Sequence, residues 1–167
     1  MNNELSPNSL ALIALAVEYC KRVEDAPNFD DRDDFIASML KLLPRLYITA
    51  TDVDDYSGYS EYFIDSMLDE VTYDAVREGI AILMAEDDVY LEVFQSDMKY
   101  SETPIATSIS ENLADLYQDL YNFAVSVRDA TSDVQQELVG QCKDNFINYW
   151  GQTLLNVLRA LNQLYYN

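Results

Sequence analysis

Glu111, Asp115 and Asp119 recur at steps of four along the chain. On a helix that spacing puts three carboxylates in a row on one face. Like charges at i,i+4 destabilise a helix by about 0.2–0.5 kcal/mol per pair, so the row calls for an explanation. Three explanations compete. In the first, Glu111 caps the helix and the two aspartates are solvated. In the second, the aspartates pair with a buried cation. In the third, the three residues are oxygen ligands for Mg²⁺, Mn²⁺ or Ca²⁺, which need only carboxylates, carbonyls and water. The third would let a helical protein hydrolyse a phosphorylated small molecule with a divalent metal.

The cation that suits the second explanation is Arg159, set in the run LLNVLRAL. A guanidinium cannot lose its proton, so burial there predicts a carboxylate partner. Glu18, Asp115 and Asp119 are the candidates. Glu18 has a simpler reading as well, an edge carboxylate on a helix that buries most of its circumference.

Other chemistries are closed. The chain has no histidine. Ser-His and Cys-His catalysis, an imidazole base and zinc or iron sites built on histidine are thereby excluded. Neither GxxxxGK[ST] nor GxGxxG occurs, so phosphate-cradling loops are absent too. Asp52 to Ser60 (DVDDYSGYS) has the look of a calcium loop, but it lacks the glycine that the twelve-residue pattern needs at its sixth position. We read it as a solvated loop. Cys20 and Cys142 each sit in an apolar helical pattern, which predicts two reduced core thiols.

The carboxylate row needs a scaffold, and Ser108 to Arg128 supplies one. Ile109, Leu113, Leu116, Leu120, Phe123 and Val127 form one apolar stripe at helical spacing. The spacing predicts a central helix with the others packed around it. Its start is either Thr103-Pro104 or the capping box Ser108-x-x-Glu111. Ser6-Pro7 starts a first helix that runs to about Asp25. Phe29-Asp30, then Asp31 and Asp33, start a second helix, which should bend at Pro44 and continue through Tyr47. A third runs from Tyr73 to Met84 with Thr72 as its N-cap. Val89 to Phe94 alternates like a strand, but with no partner strand evident we read it as helix. Ser132-x-x-Gln135 opens a last helix reaching about Tyr165, on the order of 50 Å long. Gly79, Gly140 and Gly151 fall inside helices, which predicts close approach at those points. The expected fold is all-α: a single-domain helical bundle over 1–167, with about five main helices and a long C-terminal one.

Thirty acidic residues against ten basic give a formal charge of −20. That charge repels phosphate backbones and anionic lipid, so neither nucleic acid nor membrane is an expected partner. A basic protein surface is the attractive one. The longest apolar run, Leu10 to Val17, is too short to span a bilayer.

The stretches AVEYC, LLPRLY, EDDVYLEVF, SENLADLYQDL and YWGQTLLNVLRAL resemble the bacterial family called domain of unknown function 5063. The resemblance implies an all-helical protein of the bacterial cytoplasm with no established activity. It also implies a histidine just after the LRAL block, where this chain has Asn162. The expected function is a cytoplasmic helical interaction or regulatory module with an acidic surface. The alternative is the metal-dependent hydrolase on Glu111, Asp115 and Asp119. The sequence assigns no catalytic residue and no established cofactor.

Overall fold

The computed structural model describes residues 4–54, 64–92 and 105–167. Helix α1 spans Pro7–Glu24, α2 Arg32–Asp52, α3 Glu70–Met84 and α4 Ile109–Arg128. Two short strands, β1 (Val89–Glu92) and β2 (Ile105–Ser108), lie between α3 and α4. Helix α5 (Ser132–Asn145) passes through a π turn, Phe146–Trp150, into α6 (Gly151–Tyr166).

Local chemistry explains the helix starts. Ser6 Oγ accepts from Ser9 N, with Pro7 in the first turn. Asp31 caps α2 by accepting from Asp33 N. Ser108 Oγ accepts from Glu111 N at 3.1 Å, so Ser108 is the N-cap of α4; Thr103-Pro104 lies outside the described residues. Helix α3 begins three residues earlier than predicted. Asp69, not Thr72, is its N-cap, and its Oδ1 accepts from Thr72 N at 2.6 Å. Thr131 precedes α5 without a side-chain capping bond, so the second predicted capping box does not form.

The apolar stripe of α4 is buried throughout. Around it pack α1, α3, α5 and α6, whereas α2 packs chiefly on α1 and α6. The predicted arrangement therefore holds for four partners, and α2 forms an outer layer. Helix α2 runs unbroken through Pro44. Its last carbonyls, at Ala50 and Thr51, accept from Lys143 Nζ at 2.6 and 2.7 Å. Cys20 and Cys142 are buried free thiols, as expected.

Two further predictions needed correction. Val89–Glu92 is a strand after all, paired antiparallel with Ile105–Ser108. Its partner, IATS, is only four residues long, and its two β-branched residues, Ile105 and Thr107, are too few to mark a strand from sequence. The final helix, 132–166, is not uniform α. Leu138, Cys142, Phe146, Trp150 and Leu154 follow at steps of four, and all five are buried. In an α-helix each such step overshoots a turn by about 40°, so four steps would carry the stripe about 160° around the axis. The wider π turn resets the phase and keeps the stripe on the core. It closes through Gly151 N–H donating to Phe146 O. A Cβ on Gly151 would stand 2.7 Å from that same oxygen, so only glycine fits. Gly79 answers to close approach as well: its Cβ would meet Pro27 Cγ at 3.0 Å.

Candidate functional site

Polar side chains within the buried part of α4 fasten it to the segments before it. Ser110 donates from its N–H and its hydroxyl to the Asp88 carboxylate, at 2.8 and 2.6 Å. Tyr90 OH donates to Asn112 Oδ1. Asn122 Oδ1 accepts from the N–H groups of Met67 and Leu68, both at 2.9 Å. These bonds hold α3 and the strand pair beside α4 and fix the face on which the carboxylate row stands.

Glu111 and Asp115 are exposed on that face, and Asp119 is half-buried. Tyr73, from α3, donates its hydroxyl to Asp115 Oδ1 at 2.6 Å. Burial, then that bond, holds the Tyr73 phenol protonated well above its ordinary range. Burial, then the Asp115 charge, pushes Asp119 up to about 6. Neither aspartate forms an ion pair among the described residues. The three carboxylates share a face, but among the described residues no three His, Cys, Asp or Glu side chains converge in a group able to hold a metal ion. The geometric reason is that steps of four turn each carboxylate about 40° from the last, so the row fans around one helix instead of converging on a point.

The groups around the row are donors or inert. Tyr19 OH donates to Leu113 O at 2.6 Å in the interior, and burial holds it protonated. Tyr117 OH donates to Glu24 Oε2 at 2.6 Å. Burial, then the Glu24 charge, pushes the Cys20 thiol up to about 12. Burial, then the Asp119 charge, pushes Cys142 up as well. Neither thiol is a nucleophile near neutral pH.

The buried pair expected at Arg159 is absent. Arg159 is exposed, and its guanidinium meets no carboxylate among the described residues. Glu18 is exposed and meets Arg22 at 3.5 Å, the edge-carboxylate reading. The π turn supplies the reason: it rotates α6 so that Leu154, Val157 and Leu161 face the core. Arg159 then lines an outer groove between α2 and α6, with Leu40, Pro44, Leu155, Leu158, Asn162 and Tyr166.

Sequence reasoning missed Tyr73, the Tyr117–Glu24 bond and Asn122. Ser110, Asn112 and Asn122 did carry a signal, being polar residues among the apolar positions of the central helix.

A family model described as domain of unknown function (DUF5063) matches residues 3–167. The chain belongs to the DUF5063 family. The resemblance drawn from the sequence is thereby established. The chain is also similar to the crystal structure of protein BF1032 from Bacteroides fragilis, at 29% identity and a TM-score of 0.82. That match covers 97% of this chain and 94% of the other. No curated protein matches. That solved structure has the same fold. In this member, no described helix is long and apolar enough to cross a membrane.

Proposed function

We propose that this protein is a cytoplasmic interaction or regulatory module whose acidic α3–α4 face receives a basic partner. The observation that carries the reading is Asp119. Its carboxyl is raised to about 6 by burial and by the charge of Asp115, and neither aspartate has an ion pair among the described residues. Asp115 accepts a hydrogen bond from Tyr73, and Glu111 stands exposed on the same face. A lysine or arginine from a partner relieves that repulsion and gains a charge-assisted hydrogen bond. The cytoplasmic assignment is supported by two buried free thiols in a chain of 167 residues. The hydrolase alternative asks the same carboxylates to converge on one ion, while Asp115 already holds Tyr73.

The test is calorimetric titration with a lysine- and arginine-rich peptide at low and at physiological salt. Binding is expected, weaker at the higher salt. The double variant Glu111→Gln, Asp115→Asn should weaken it at least tenfold. Equal binding by wild type and variant would remove the reading.

A further inference from the structure

The acidic residues of this chain are spread unevenly. Neither 35–51 nor 145–167 contains an aspartate or a glutamate, so all 30 lie elsewhere. The fold brings those two stretches together. Helix α2 packs on α6. The Tyr47 and Phe146 rings meet edge to face at 5.1 Å, and Lys143 Nζ donates to the last carbonyls of α2. A molecule of formal charge −20 thus has one face built from segments without an acidic side chain.

The side chains on that face keep helical spacing. On α6, Leu155, Arg159, Asn162 and Tyr166 follow at steps of four, three and four, which is a single stripe. On α2, Leu40, Pro44 and Ile48 follow at steps of four. All but Ile48 line the groove between the two helices, and no acidic residue lines it among the described residues. Lys41 and Arg45 take no part, because they line the α1–α2 groove beside Glu18 and Asp34. Leu155, Ile48 and Tyr166 are 46%, 60% and 70% exposed. Protein interfaces are enriched in aromatic residues and arginine and depleted in aspartate, glutamate and lysine. Taken whole, they are about as apolar as the rest of a surface, so a groove of mixed polarity fits.

The charge decides between occupants. Two copies of this chain repel each other through a charge of −20 apiece. Contact is costliest where carboxylates are desolvated against carboxylates. The α3–α4 face would force that, and the α2–α6 face would not. We propose that the α2–α6 face is the interface of a homodimer, with the α6 stripe laid on its own copy about a twofold axis. Such a contact is self-complementary. Leu155 and Ile48 gain apolar neighbours, and Arg159 has acceptors in the Asn162 amide and the Tyr166 ring of the second copy. This interface uses none of the α3–α4 residues and does not rest on the basic-partner reading.

Sedimentation velocity from micromolar to submillimolar protein tests the proposal. A dimer is expected, and it should tighten as sodium chloride rises to physiological concentration, because salt screens the repulsion between copies. Arg159→Glu and Leu155→Glu each place a carboxylate on the twofold face and should weaken the dimer at least tenfold. Ile82→Glu adds the same charge at a residue 74% exposed on α3 and should leave the dimer intact. Circular dichroism melts confirm the fold of each variant. Should Leu155→Glu unfold the protein, Arg159→Glu and Tyr166→Glu decide, both at exposed positions. A monomer at every concentration and salt, a dimer that loosens as salt rises, or one indifferent to Arg159→Glu would overturn the proposal. So would a dimer that Ile82→Glu dissociates, which would place the interface on α3.

Discussion

A carboxyl group held at about 6 is a liability at neutral pH, and Asp119 is such a group. Its folded value lies above the unfolded one of about 3.9, so the fold binds the proton more tightly. The stabilising contribution is full below about pH 4 and is lost as pH rises through about 6. Asp119→Asn removes the ionisation while keeping the shape. It should stabilise the protein at pH 7.5 by about 1–2 kcal/mol, allowing for solvent screening at a half-buried site. The gain should vanish at pH 4, and urea titrations at the two pH values measure it. Arg159 makes the opposite point. With no buried partner, Arg159→Met should shift stability by less than about 0.5 kcal/mol. The sequence showed both residues but not their surroundings. A carboxylate row at i,i+4 looks the same whether a cation faces it or not, because the facing residue comes from another helix. Arg159 looked buried because its neighbours are apolar, and only the phase of the helix decides which of them point inward.

That phase is set at the level of elements. The stripe of α4 alternates steps of three and four, and it was fully legible because a plain α-helix satisfies it. The stripe from Leu138 to Leu154 repeats four without a three, which is the mark of a π turn that periodicity at 3.6 conceals. Gly151→Ala tests the turn. A methyl 2.7 Å from Phe146 O forces the turn open or displaces the backbone. The expected loss is about 1–3 kcal/mol, as for overpacked sites, read from denaturant unfolding. The end of α3 is a second strained point. Ala85 has φ 54° and ψ −129°, a conformation that favours glycine. Arg32 holds it there, donating to Met84 O at 3.0 Å and meeting Asp87 at 2.6 Å. Ala85→Gly should stabilise the protein by about 1 kcal/mol, seen as a rise in melting temperature. The strand pair beyond it was missed because two four-residue strands leave a weak pattern.

At the scale of the molecule, α4 is a spine whose buried stripe and polar fasteners fix two surfaces of different chemistry. One is the carboxylate face beside α3, and the other is the groove between α2 and α6, where Arg159 stands exposed with no ion pair among the described residues. Millimolar Mg²⁺, Mn²⁺ or Ca²⁺ should leave the melting temperature unchanged. A ligand present at a hundred times its dissociation constant would add about 2.7 kcal/mol, so a metal site would be easily seen. The central claim is that negative charge on α4 awaits a basic partner, and Asp119 reports on it directly. Its carboxyl carbon can be followed by NMR across pH, with and without the lysine- and arginine-rich peptide. The account predicts a midpoint near 6 for the free protein that falls when the peptide is added. A midpoint in the ordinary carboxylate range without peptide, or one that the peptide leaves in place, would contradict it.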